Sequence, residues 1–470
     1  MAQDIQIYNT KTKAIEKFVP ITEGEVSIYS CGPTVYYYPH LGNMRPYVFA
    51  DTLRRMFISA GYKVNHVINI TDVGHLTGDN DGDADTGEDK MEKGSAREGK
   101  SAWDVAKFYM EDFFECLDLL NIPRAEYQFP RATDYIEEQI NLIKLLEDKG
   151  FTYVISDGVY FDTSKFPKYA EFAHLDIEGL RSGARVEANE EKRNITDFAL
   201  WKFSPKDQQR QMEWDSPWGK GFPGWHIECS AMSKKLLGPH FDIHTGGIDH
   251  IPVHHTNEIA QSECANGVKY VNYWMHVNFL NDKDGKMSKS KGDFLRLQSL
   301  QEIGISPLEY KYYLLTSHYR AQMDLDITAI HSAGTAYKKL WNFCVENITS
   351  DGEVNTKYKR EFTDALYDDV GTPAAIAIMW NLTKDTDIKN EDKYRTIIEM
   401  SHILGLKLHM AVKEEVVLTD EVKKLLDERH AVREAKNWPE ADRLRDKITE
   451  LGFEVKDTDE GQEVKEIKRI

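Results

Sequence analysis

Cysteine is scarce. The five among 470 residues (Cys31, Cys116, Cys229, Cys264 and Cys344) are odd in number and far apart, which argues against a disulfide scaffold and for a reducing cytoplasm. Long apolar runs are missing as well, since none approaches the roughly 18 residues of a membrane span. Met1-Ala2-Gln3-Asp4 lacks the basic-then-apolar layout of a secretion signal. Positive charge is also short: 59 Lys and Arg face 78 Asp and Glu, a formal charge of −19. Such a chain cannot coat nucleic acid indiscriminately, so a nucleic-acid partner must meet a local basic face or a shaped pocket. Internal repeats and low-complexity tracts are absent. What remains, 41% hydrophobic and 29% charged, suits globular cores. At roughly 100–200 residues per domain the length implies about three or four domains.

The first half alternates strand-like and helix-like runs. Val26–Ser30 reads as a strand, 44–60 as a helix stopped by Gly61, and Lys63–Thr71 as a second strand. Strand, helix, strand is a βαβ unit, which predicts a parallel sheet with ligands at the strand carboxyl ends. Residues 79–100, rich in Asp, Gly and Glu, read as a solvated loop. Asp81, Asp83, Asp85 and Glu92 imitate a calcium loop, but Thr86 stands where such a loop needs Gly. Helical runs follow at 101–120 and 133–149, then a hairpin, FTYVISDGVYFD, with Asp157-Gly158 as its turn. A second α/β stretch runs from 224 to 280, containing the strand-like segments Phe241–His244 and Tyr270–Phe279. Amphipathic helices fill 321–411, and the tail reads as one charged helix (421–450), Gly452 and a short strand.

Three groups of residues look chemical. Cys31, Cys229, His254 and Glu258 are donor types that zinc accepts, and His254 and Glu258, four residues apart, share one face of any helix. The spacing is not that of a zinc finger, and each cysteine taken alone reads equally as a small buried hydrophobe. His40 and Asn43, in PHLGN, stand between a strand and a helix, where an anion or merely a helix cap would suit them. Lys286-Met287-Ser288-Lys289-Ser290 offers two ammonium groups amid hydroxyls, an anion-binding loop.

Together, PHLGN and KMSKS in a βαβ frame resemble the HIGH and KMSKS signatures of class I aminoacyl-tRNA synthetases. Within that class SCGPTVY, NITD, PGWHIECSAM, FDIH and PVHH resemble the cysteinyl-tRNA synthetases, and the resemblance runs end to end. It implies an α/β fold: a Rossmann-like catalytic domain (1–122 and 206–280) interrupted by a connective insertion (123–205). A KMSKS-bearing connection (281–325), a helical bundle (326–415) and an anticodon-binding region (416–470) follow. It implies one zinc ion held by Cys31, Cys229, His254 and Glu258, magnesium accompanying ATP, and a monomer acting on cysteine, ATP and tRNA without a membrane. His40, Asn43, Gly246, Gly247, Asp249 and Lys289 then face ATP, with Lys286 and Lys289 on the departing pyrophosphate. Thr71 and Trp225 line the amino-acid pocket; their plainer readings are a strand-end hydroxyl and a core aromatic.

The chain departs from that family's pattern at Thr256, where Glu is common, at Lys291 after KMSKS, and in GQEVKEI, which lacks a tail Trp. A rival reading is a ligase joining cysteine to an amino sugar, as in the mycothiol pathway; such enzymes lack a segment like 421–470. Another is a non-catalytic RNA-binding relative, which has no physical need for His40, Asn43, Lys286 and Lys289.

Overall fold

The computed structural model describes residues 4–74, 89–175, 190–205, 210–282, 295–412, 418–458 and 461–466. The strands β1 (Gln6–Asn9) and β2 (Ala14–Lys17) form an antiparallel ribbon. Then come β3 (Glu25–Ser30), α1 (Leu41–Ser59) and β4 (Lys63–Ile68), the expected βαβ unit. Val26 and Ile28 of β3 and Leu53, Met56 and Phe57 of α1 are buried together, which is why this stretch folds as strand and helix. The second strand stops at Ile68 rather than Thr71. There the chain leaves the sheet, and the Ile70 and Thr71 N–H groups donate to the carbonyls of Pro130 (2.8 Å) and Pro33 (3.0 Å).

Part of the expected 79–100 loop is a helix, α2 (Lys90–Glu98). Asp89 Oδ1 caps it by accepting from the N–H groups of Met91 (2.7 Å) and Glu92 (2.9 Å), Met91 is buried, and Gly99 at φ 64° ends it. Asp81, Asp83, Asp85 and Thr86 lie outside the described residues. Next are α3 (Ala102–Leu119) and α4 (Ile136–Asp148). An antiparallel sheet of β5 (Thr152–Ile155), β6 (Gly158–Phe161), β7 (Phe198–Phe203) and β8 (Gly221–Pro223) shares a core with α4. Its hairpin turns at Ser156-Asp157, one residue earlier than expected. Gly158 is already in the strand, where a Cβ would sit 2.4 Å from the Trp201 carbonyl.

The chain then returns through α5 (Trp225–Leu237), β9 (Phe241–Gly247), a π-helical turn (Ile251–His255), α6 (Thr256–Asn266) and β10 (Val271–Val277). The main sheet runs β10-β9-β3-β4, all parallel, with Ser30 opposite both Thr245 and Ile68. The short strands β11 (Leu280–Asp282) and β12 (Met323–Leu325) pair in parallel. Around them stand α7 (Leu297–Glu302), α8 (Pro307–Leu315), α9 (Ile327–Glu346), α10 (Thr356–Tyr367), α11 (Thr372–Lys384) and α12 (Asn390–Leu404). One core joins one face of the main sheet to α1, α3 and these later helices.

The tail is two helices, α13 (Asp420–Glu434) and α14 (Trp438–Glu450), followed by a hairpin of β13 (Phe453–Thr458) and β14 (Gly461–Glu466). The single helix expected over 421–450 breaks at Lys436, whose φ is 58°, just before Pro439 opens the next helix. Val422, Leu426, Ile448, Phe453 and Val455 give this tail a core of its own.

Candidate active site and metal centre

From β3 the chain crosses through α1 to β4 on one side, while β9 lies on the other, so a crevice opens at the carboxyl ends of β3 and β9. A cavity of about 820 Å³ occupies it. His40, Asn43, Cys31, Cys229, His254, Thr71, Trp225, Gly247 and Asp249 all line the cavity. Gly246 does not line it. A Cβ there would lie 2.7 Å from the rings of His250 and His255, so this glycine serves close packing behind the wall.

His40 caps α1. Its Nδ1 accepts from the Asn43 N–H (3.3 Å), and Asn43 Oδ1 accepts from the His40 N–H (3.1 Å). The plain reading of the pair as a cap therefore describes the local geometry, and both side chains also border the cavity. Two residues on, Arg45 is buried and spreads its guanidinium over four carbonyls: Asn278 and Phe279 at 2.8 Å, His318 at 3.1 Å and Ala321 at 2.7 Å. This ties α1 to the cavity wall that leads into β11. Lys286 and Lys289 lie outside the described residues.

The donor atoms of Cys31, Cys229, His254 and Glu258 all lie within 4.8 Å of one another. The strand end of β3 supplies Cys31 and α5 supplies Cys229. The π turn running into α6 puts His254 Nε2 3.0 Å from Glu258 Oε1, the expected one-face pair. His254 Nδ1 lies 3.0 Å from His226 Nδ1, which leaves Nε2 aimed at the cluster. Glu258 Oε2 accepts from His244 Nε2 (2.9 Å) and the Tyr270 hydroxyl (3.0 Å), whereas buried Oε1 is turned to His254 Nε2 and the cluster. A second overlapping set, Cys31, His244, His255 and Glu258, is equally tight. But His244 and His255 do not border the cavity, and His255 has both ring nitrogens engaged, with Cys31 Sγ at 3.2 Å and His276 Nε2 at 2.8 Å. The first set, three of whose members line the cavity and whose Glu258 Oε1 is turned to the cluster, fits zinc.

The electrostatics agree. Burial opposes ionisation of the Cys229 thiol, yet Cys31 and His254 bring it down to about 7. Burial and the neighbouring Cys229 push the Cys31 thiol well up. Despite burial, His244 and His254 hold the Glu258 carboxyl well below its usual range, and Glu258 and Cys229 raise His254 to about 10. His254 thus holds a proton between two anionic groups, where a cation is wanted. Burial and neighbouring histidines drive His255 and His276 well below the ordinary histidine value.

Sequence reasoning did not single out His226, His244, His255 and His276, nor the fully buried Glu228 of α5. The available signal was a polar residue inside an otherwise apolar strand, as His276 is in YWMHV.

Residues 17–335 match a family model described as the tRNA synthetases class I (C) catalytic domain, and residues 416–464 match the cysteinyl-tRNA ligase anticodon binding domain. Cysteine–tRNA ligase 1 of Burkholderia lata is 48% identical over 459 residues, 97% of this chain and 96% of that one. The cysteine–tRNA ligase of Treponema denticola is 43% identical, covering 96% and 98%. In fold the chain is similar to Mycobacterium tuberculosis methionyl-tRNA synthetase in complex with methionyl-adenylate. The TM-score is 0.55 at 15% identity, over 83% of this chain and 92% of that one.

Proposed function

The chain belongs to the cysteinyl-tRNA ligases of class I, and for its cavity we propose a two-step route in which cysteine is activated by ATP and then passed to tRNA. The observation that carries the reading is the cluster of Cys31, Cys229, His254 and Glu258, whose first three members line the same cavity as the His40–Asn43 cap of α1.

Zinc bound by those four residues supplies a soft contact for a thiolate and a poor one for a serine hydroxyl, whose proton is not lost near neutral pH. With Oε2 committed to His244 and Tyr270, Glu258 has one oxygen to offer, which suits the weakest of the four ligands. Trp225, its ring 4.3 Å from that of His254, lines the cavity beside the cluster. Shape alone separates SH from OH poorly, so a direct contact to sulfur accounts for selectivity without an editing site.

In the first step an oxygen of the cysteine carboxylate attacks the α-phosphorus of ATP. The bond from that phosphorus to the bridging oxygen breaks, and pyrophosphate leaves with magnesium. None of the chain's own groups is a nucleophile. Their work is position and charge: His40, Asn43 and the amino end of α1 face the phosphates, with Gly247 and Asp249 toward the nucleoside. Lys286 and Lys289 neutralise the departing pyrophosphate in this reading. In the second step the 2′-hydroxyl of the terminal tRNA adenosine attacks the adenylate carbonyl and AMP leaves.

The match of 416–464 to an anticodon-binding domain favours tRNA over an amino sugar as acceptor. The deciding assay offers the protein cysteine, ATP and either total tRNA or glucosaminyl-inositol, and asks which becomes cysteinylated. Cysteine-dependent ATP–pyrophosphate exchange is expected without tRNA, and serine should not support it. Cys229→Ser should lose zinc and cysteine affinity together; full zinc occupancy with unchanged exchange in that variant would overturn the ligand set.

A further inference from the structure

We propose that Tyr36, Tyr37 and Tyr38, with α2 and the first half of α3, form the surface along which the unpaired 3′ end of tRNA reaches the cavity. Lys90 and Lys100 hold its phosphates, and Phe108 stacks under a base. This deepens the reading that tRNA accepts the cysteine, and rests on it.

The transfer step needs a terminal ribose hydroxyl inside a cavity of about 820 Å³. A double helix is too wide to enter, so the end that delivers the hydroxyl is a single strand. Single strands are held by cations on their phosphates and by aromatic rings against their bases. With 59 basic residues against 78 acidic ones, the chain must concentrate such a surface in one place.

Among the described residues that line the cavity, Lys90 is the only lysine or arginine. Tyr36, Tyr37, Tyr38 and Tyr109 line it as well. From there rings and cations continue outward. Lys90 Nζ stands 5.7 Å from the centre of the Tyr36 ring, and the Arg97 guanidinium 4.5 Å from that of Tyr37. Arg296 lies 3.7 Å over Tyr38, and Lys100 4.7 Å over Phe108. Phe108 meets the edges of Tyr38 (6.0 Å) and Tyr109 (5.1 Å), yet 43% of it is exposed. A ring left in water at the rim of a cavity, with an ammonium group beside it, suits a nucleobase and its phosphate.

The surface is braced from behind. Arg97 pairs with Glu98 (3.0 Å) and donates to the Tyr36 carbonyl (2.9 Å), which fixes the tyrosines against α2. Asp89, just before Lys90, caps α2 with one oxygen and pairs with Arg210 through the other. Gln211 donates from its N–H to Glu92 Oε1 (2.8 Å) and from Nε2 to Ser95 Oγ (2.8 Å), while its Oε1 accepts the Ala102 N–H (2.8 Å). These contacts hold a nine-residue helix, and with it Lys90, at the cavity before any strand arrives.

The test compares intact tRNA(Cys) with the same tRNA stripped of its unpaired 3′ nucleotides, by equilibrium binding across a salt series. Cysteine-dependent ATP–pyrophosphate exchange, which uses no tRNA, is measured beside it. Phe108→Leu should weaken the intact tRNA about fivefold or more, the loss of one base stack. Phe108→Tyr, which keeps a ring, should change it by less than about twofold. Lys90→Gln and Lys100→Gln should each flatten the slope of log affinity against log salt by about 0.7, one phosphate of a single strand. The stripped tRNA should bind every variant as it binds the parent, and exchange within about twofold of the parent shows that each variant is folded. Equal weakening of both tRNAs by Phe108→Leu, or of neither, would overturn the inference. So would loss of exchange in Lys90→Gln, which would place that ammonium on ATP. An unaltered protein that supports exchange and cysteinylates no tRNA would instead remove the reading of the acceptor.

Discussion

Lys311 and Asp51 are both wholly buried, and their pairing can be measured. Lys311 Nζ donates to Asp51 Oδ2 (2.9 Å) and to the Leu120 carbonyl (2.9 Å). Asp51 also accepts from Arg55 Nε (2.8 Å) and the Tyr127 hydroxyl (3.0 Å). Arg55 reaches on to the carbonyls of His402 and Asn121, each at 2.9 Å, so α1, the end of α3, α8 and α12 meet at one point. Burial lowers Lys311 to about 8 even with Asp51 beside it, the mark of ions taken out of water. Breaking a buried pair from one side costs about 3–5 kcal/mol. Lys311→Met leaves Asp51 with Arg55, so its loss should fall at the lower end, about 3 kcal/mol. Asp51→Asn leaves an ammonium and a guanidinium facing one another with no anion, so its loss should reach the upper end, about 5 kcal/mol. The double variant removes both buried charges and leaves Arg55, which is partly exposed and free to turn to water. It should therefore fall short of the summed single losses by at least about 2 kcal/mol. Urea unfolding followed by far-UV circular dichroism, with exchange activity as a second probe, measures all four corners of the cycle. Strictly additive losses, or two single losses below about 1 kcal/mol, would refute the claim that this ion pair joins the helices.

Three further outcomes are expected. Arg45→Lys cannot reproduce a planar fork over four carbonyls and should slow exchange about tenfold, and Arg45→Met should slow it more; unchanged rates would detach the fork from the cavity wall. Burial raises the Asp72 carboxyl to about 6, against the pull of hydrogen bonds from Thr133. A raised acid gives stability that is full below its ordinary value near 3.8 and lost as pH climbs through about 6. Stability should thus decline by up to about 3 kcal/mol across that window, a decline that Asp72→Asn flattens in unfolding curves against pH. Arg429, buried in the tail, grips both oxygens of Asp457 at 2.8 Å and Gln462 Oε1 at 2.5 Å. A domain so small has little stability to spare, so Arg429→Leu should abolish tRNA cysteinylation while exchange in the separate catalytic core persists, both read with the same preparation.

What could be read from the chain alone follows the range of the interactions concerned. The βαβ unit was legible because β3, α1 and β4 each carry their own apolar periodicity. The His254–Glu258 pair was legible because helical spacing alone puts the two on one face. α2 escaped because its nine residues bury a single large apolar side chain, Met91, although the cap at Asp89 and the stop at Gly99 were both present. The break in the tail helix was signalled by Pro439, and the positive φ of Lys436 that completes it has no residue-type signal. Not legible at all was the set of hydrogen bonds around Thr71. It depends on Asn69 two residues away, Gly32 some forty residues upstream and Glu228, 157 residues downstream, none of them in periodic register. Motif spacing identifies which side chains reach a cavity, because reach is set by the local element. It cannot say which of those side chains donate and which accept. That is decided by buried neighbours whose protons are already committed, so the specificity of this cavity resides in contacts between residues that no short motif spans.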